Sequence, residues 1–119
     1  MGLYLPVSSI KENKMFTTTV WTNGKPNVKM GSGYGINIPL KIRENIFQKN
    51  WDNIELDLDG IIITIPLTEA FWNKCNEIRS SEIGKWLIKN NAHSWIKGKP
   101  TQIEMAQIKN NRFKASIKL

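Results

Sequence analysis

Groups able to do covalent or metal chemistry are scarce in this chain. It has one histidine, His93, and one cysteine, Cys75. Cys75 keeps helical spacing with Phe71 and Trp72, so it reads as a small buried hydrophobe rather than a nucleophile. His93 sits in a polar stretch and reads as a surface imidazole. A zinc site takes about four Cys, His or acidic ligands in close spacing, which this chain cannot supply. Gly31, Gly33 and Gly35 lack the downstream helix of a dinucleotide fingerprint, and no phosphate-cradling Walker loop occurs. The strongest chemical candidate is a run of alternating acids, Glu55, Asp57 and Asp59. Three carboxylates on one strand face could hold magnesium, as in a small metal-dependent nuclease. The same alternation, set against Ile54, Leu56 and Leu58, is also what a solvent-facing strand looks like. No lysine follows at the short spacing of nuclease cores, so the solvated face is preferred. The expectation is a protein with no catalytic residues, no metal and no cofactor.

Charge points instead to a polyanionic partner. Lysine and arginine number 17 against 10 acids, a formal charge of +7. Residues 1–49 carry net +5, residues 50–69 net −5 and residues 70–119 net +7. Two basic regions flanking an acidic one would orient the molecule on a nucleic acid. At 119 residues the chain is one domain, and its 40% apolar content is ordinary for a globular protein. No apolar run approaches the length of a membrane span. The opening MGLYLPVSSIKENK lacks the basic start and apolar centre of a secretory signal. A lone cysteine cannot form an internal disulfide, so the expected location is cytoplasmic, with no membrane partner.

Residues 1–13 read as an arm without period, followed by a domain over 14–119. Lys14–Trp21 is rich in β-branched and aromatic residues and predicts a strand. Thr22–Pro26 is a turn, and Val28–Met30 predicts the opening of a second strand. Three glycines in five residues then call for a bulge, a tight loop or a close backbone approach to a ligand. Tyr34, between Gly33 and Gly35 in a polar basic stretch, is expected outside the core. Ile36 and Ile38 alternate as a strand, and Pro39 suits a first helical turn. Leu40, Ile42, Ile46 and Phe47 give the next helix one apolar face. Ile54–Leu58 and Ile61–Ile65 form a hairpin closed by Asp59-Gly60. Thr68 caps a helix with apolar residues Phe71, Trp72, Cys75 and Ile78, although a strand suits the same residues. Ser80 or Ser81 caps a second helix carrying Ile83, Trp86 and Leu87, ended by Asn90-Asn91. A terminal hairpin turns around Lys109–Arg112. Of Trp21, Trp51, Trp72, Trp86 and Trp95, most read as core, with base stacking the alternative use.

The run IPLKIRENIF…NIELDLDGIIITI, with GYGINIP before it, resembles two families. One is the AbrB/SpoVT class of bacterial regulators, which close a barrel by pairing two short chains. The other is the B-three DNA-binding domain of plant transcription factors and the effector domain of EcoRII-type restriction endonucleases. The continuation FWNKCNEIRSSEIGKWLIKNN and a terminal strand pair match the second family over about residues 14–118. That resemblance implies a mainly β (α+β) fold, a single-domain open β pseudobarrel of about seven strands with two or three short helices. It also implies a monomer that clamps the major groove of double-stranded DNA with two arms. Carried across, the first arm offers Lys25, Asn27, Lys29, Ser32, Tyr34 and Asn37. The second offers Asn76, Arg79, Ser80, Ser81 and Lys85. Lys and Arg suit phosphates and guanine, Asn suits adenine, and Ser suits backbone oxygens. The protein would be a stand-alone regulator or the target-recognition module of a restriction system. The alternatives are an AbrB-like dimeric transcription regulator, a barrel-type RNA-binding module and the metal nuclease above.

Overall fold

Alternation of apolar and polar residues builds much of this molecule, most regularly over 16–20 and 53–58, where every second side chain is buried. The computed structural model describes residues 14–118; the arm expected over 1–13, and Leu119, lie outside them. Strand β1 spans Met15–Thr22, β2 Tyr34–Asn37, β3 Asn53–Leu58, β4 Ile61–Pro66, β5 Glu77–Arg79, β6 Gln102–Lys109 and β7 Arg112–Ile117. Helix α1 spans Leu40–Asn45, α2 Glu69–Asn73 and α3 Ser81–Lys89. One seven-stranded sheet runs in the order β4-β3-β7-β6-β1-β2-β5. Its neighbours are antiparallel except β3 and β7, which pair parallel with Leu56 opposite Phe113. The sheet curls into an incompletely closed barrel. Its two edge strands, β4 and β5, send Ile65 and Ile78 into the same core. A cleft lined by Pro66, Phe71, Cys75 and Ile78 remains between them. The expected mainly β pseudobarrel with short helices is therefore the fold.

Inside the barrel, Phe16, Val20, Ile36, Ile54, Leu56, Ile103, Met105 and Phe113 are buried. Burial of each such side chain stabilises the fold by about 1.5–3 kcal/mol. Thr18 also points inward, and its hydroxyl donates to the Ile103 carbonyl at 2.9 Å. Phe47, just past α1, stacks on Phe113 at 5.1 Å and tilts against Phe71 at 5.5 Å. The Arg43 guanidinium donates to the Phe71 carbonyl at 2.8 Å, tying α1 to α2. The Asp59-Gly60 turn takes φ of 55° and 94°, as a two-residue hairpin requires. No helix among the described residues is long and apolar enough to cross a membrane.

Four local expectations need correction. Val28–Met30 is a turn, not a strand, and Val28 and Met30 are exposed. The Asn27 side-chain oxygen accepts from Lys29 N and Met30 N, both at 2.9 Å. This local bonding replaces a strand ladder. The helix expected to reach Ile78 stops at Asn73, and Ile78 joins β5 opposite Ile36. There Asn76 decides the outcome. Its carboxamide donates to the Ile38 carbonyl at 2.5 Å, while its own carbonyl accepts from Ile38 N at 2.8 Å. That pair of bonds draws the chain alongside β2. His93 is half-buried rather than a surface group, and Cys75 is likewise half-buried rather than fully enclosed.

Candidate nucleic-acid interface

The two arms proposed from the sequence meet in space. The loop joining β1 to β2 folds on itself through Asn23, whose side-chain oxygen accepts from Lys25 N at 2.9 Å. Asn27 N donates to the Ser32 carbonyl at 2.9 Å, closing the loop's far end. Gly31, at φ 82°, then passes directly against α3. A β-carbon on Gly84 would stand 1.9 Å from the Gly31 carbonyl oxygen. One on Gly31 would meet the Ser81 carbonyl oxygen at 2.4 Å. The glycine-rich run is therefore a close backbone approach, as its composition suggested, but to a helix of the same chain.

The junction from β5 to α3 stands beside this loop. Ser80 is the N-cap of α3, its hydroxyl accepting from Glu82 N at 3.1 Å. Asn23, Ser32, Arg79, Ser80 and Ser81 surround a cleft of about 240 Å³ with Trp21 at its wall. Register explains the arrangement. Trp21 of β1, Gly35 of β2 and Arg79 of β5 lie side by side across three strands. Because Gly35 has no side chain, the Arg79 guanidinium crosses over it and sits 4.8 Å from the centre of the Trp21 ring. Glu77 holds the same guanidinium at 3.1 Å. The Glu77 side chain is only 8% exposed, whereas that of Arg79 is 55% exposed, so the arginine is anchored while still facing solvent.

The other candidates divide between this surface and the framework. Lys25, Lys29 and Ser32 are exposed on the first loop, and Ser81 and Lys85 on the second segment. Lys85 pairs with Glu82 at 3.4 Å. Asn37 is half-buried on the outer face of β2, flanked by Thr19 and Glu77. Asn76 is part of the framework through its bonds to Ile38, and the Asn27 side-chain oxygen is taken by its own turn. Tyr34 is corrected outright: it is 2% exposed and belongs to the hydrophobic core. The glycines beside it allow close packing rather than a free loop, and burial pushes its hydroxyl above the usual 10.0. The residue that sequence reasoning passed over is Trp21. Alone among the five tryptophans, it is neither buried nor packed on the core cluster. Its position in an alternating strand, out of phase with Phe16, Thr18 and Val20, is the signal that marks it.

The acids of β3 are employed elsewhere. Glu55 pairs with Arg112 at 2.7 Å, the Asp57 carboxylate accepts from Gly60 N at 2.7 Å, and Asp59 accepts from the Trp86 indole N–H at 2.9 Å. Among the described residues, no group of three or more His, Cys, Asp or Glu side chains is arranged to hold a metal ion. Three strands, β7, β6 and β1, separate β3 from β2 on the sheet. No protein-family model matches the chain, and neither a curated protein nor a solved structure matches it.

Proposed function

We propose that this protein binds double-stranded DNA by sequence, through the β1–β2 loop and the β5–α3 junction, and performs no chemistry itself. The observation that carries the reading is the convergence of two segments, distant in sequence, on one cleft presenting an anchored Arg79 over the half-buried Trp21 ring. An arginine held in place loses less freedom on making a bidentate contact to guanine, and such a contact discriminates by about 1–3 kcal/mol. Lys25, Lys29 and Lys85 stand around it as phosphate partners. The order of strands and helices, with Ile38-Pro39 leading into α1, supports the likeness to B-three and EcoRII-type effector domains. All seven strands come from one chain. That favours a monomer over the AbrB-like dimer, whose barrel needs two chains. The role is that of a regulator or of a targeting module for a restriction system.

Selection from random duplexes, followed by sequencing, tests the reading. Enrichment of one short motif whose binding falls with Arg79→Ala is expected. Recovery of unbiased sequences, or preference for single-stranded RNA over duplex, would overturn it.

A further inference from the structure

A second cleft, of about 680 Å³, lies under the connection from α3 to β6. It has no role in the reading above. Two cations, Lys99 and Lys118, line it, and no carboxylate does. Neither lysine makes an ion pair within the described residues. Thr19, Gln102, Asn91 and Ser94 also line it, and none of these side chains is engaged in a hydrogen bond within the described residues. Contrast Arg79 and Lys85 on the second arm, which Glu77 and Glu82 hold.

The two clefts share a wall. Thr19 and Trp21 project from the same outer face of β1, one into each cleft. Register continues the line: Gln102 lies opposite Thr19, Asn37 lies on the other side of Thr19, and Lys118 N donates to the Gln102 carbonyl. A polar track thus runs from Lys118 across β6, β1 and β2 to Glu77 on β5, whose carboxylate holds Arg79 two residues farther along the strand. Two lysines without an ion pair, Lys118 donating only to the Thr17 hydroxyl at 3.5 Å, stand among the unengaged Thr19, Gln102, Asn91 and Ser94 side chains, and with no carboxylate in the lining they match a phosphodiester chemically.

We infer that this cleft binds the DNA sugar–phosphate backbone flanking the bases approached by Arg79, with Lys99 and Lys118 as the charge partners. The inference rests on the DNA-binding reading. It makes the footprint longer than the arms alone and gives the new part no base preference. Each phosphate neutralised contributes about 0.9 to the slope of log affinity against log salt. Two contacts therefore contribute about 1.8, which at 0.15 M salt corresponds to about 30-fold in affinity relative to 1 M.

The test is anisotropy titration of the selected duplex and a scrambled duplex over a salt series. The proteins are the parent, Arg79→Ala, the pair Lys99→Ala with Lys118→Ala, and the pair Lys99→Arg with Lys118→Arg. The alanine pair should lower affinity for both duplexes by about the same factor, reduce the salt slope by about 2 and leave the specificity ratio intact. The arginine pair should keep the parental slope. Ser94→Glu, which adds an anion at the lip without removing a lysine, should weaken both duplexes and guards against a folding defect in the alanine pair. If the parent binds with an Arg79-dependent preference while the alanine pair and Ser94→Glu keep its affinity and slope, the cleft lies outside the footprint and the inference is wrong. If the parent binds no duplex at low salt, the DNA-binding reading fails and this inference with it.

Discussion

Gly84→Ala isolates the joint on which both candidate arms depend. In an exposed helix the change would stabilise by about 1 kcal/mol, because alanine is the better helix former. Here the new β-carbon would sit 1.9 Å from the Gly31 carbonyl oxygen and 2.6 Å from two further Gly31 backbone atoms. An ordinary carbon–oxygen approach is about 3.3 Å, so one backbone must yield by about 1.4 Å. Gly31 cannot yield freely: its N–H donates to the Asn27 carbonyl at 2.8 Å, and it already occupies φ of 82°. Overpacking costs about 1–3 kcal/mol when a flexible side chain can adjust, and backbone against backbone belongs at or above the top of that range. The clash wins over the propensity by about 2 kcal/mol, which for a domain of this size lowers Tm by about 8 °C. Thermal unfolding followed by circular dichroism reads this directly. A Tm equal to or above the parent's would mean that α3 does not rest on Gly31, and the account of how the two arms are brought together would fail.

Other consequences follow from the same geometry. Tyr34→Ala should unfold the protein more easily, by about 3–5 kcal/mol as for other buried aromatics, and a near-parental denaturation midpoint would return Tyr34 to the surface. The Tyr34 hydroxyl titrates above its usual 10.0 because burial disfavours the phenolate. Stability from that group is therefore whole below pH 10.0 and is lost as pH rises through the folded-state value. Unfolding midpoints across alkaline pH should fall in the parent and fall less in Tyr34→Phe. Glu77→Gln frees Arg79 and removes an acid from the arm cleft; titration should show tighter binding to scrambled duplex and a smaller ratio between selected and scrambled. Asp57→Asn should leave both affinities at the parental level, and abolished binding would place the DNA surface on the wrong side of the barrel.

What was legible in the sequence was local. The Asp59-Gly60 turn, the Ser80 cap and the Asn110-Asn111 reversal depend on residues within one turn of each other, and their chemistry announces them. Alternation in Ile54–Leu58 marked a strand, whereas the barrel itself came only as what the family resemblance implied. What failed depended on partners far along the chain. Phe71–Ile78 suits helix or strand by its residues; the chain divides into a helix to Asn73 and the strand β5, beside which Asn76 bonds to Ile38 far along the chain. Tyr34 was read by its neighbours' flexibility, yet Gly33 lies against Asn23 and Pro26 and Gly35 against Ile78, so those glycines mark crowding instead. The stacking of Arg79 on Trp21 needs the register of three strands at once, which no spacing in the sequence encodes.

If the protein binds DNA as proposed, the distribution of acids separates two kinds of contact. Beside the arms, Glu77 holds Arg79 at 3.1 Å and Glu82 holds Lys85 at 3.4 Å. The exposed Lys85–Glu82 pair is worth about 0–1 kcal/mol, and a phosphate oxygen gains little by displacing its carboxylate, since one anion merely replaces another. The Glu77 side chain is only 8% exposed, so its pair with Arg79 is held more firmly than an exposed one. A bidentate base contact, at about 1–3 kcal/mol, uses the remaining guanidinium donors instead of displacing Glu77. The acids therefore make the arms poor at holding arbitrary sequence and leave the correct sequence favourable. Nonspecific residence on DNA depends on phosphate neutralisation, to which Lys25 and Lys29 of the first loop contribute. The cleft lined by Lys99 and Lys118, with no carboxylate in its lining, adds to that attraction. On this division, affinity for any duplex and preference for one duplex reside in different strands of the same sheet face, joined by Thr19 and Trp21 on β1.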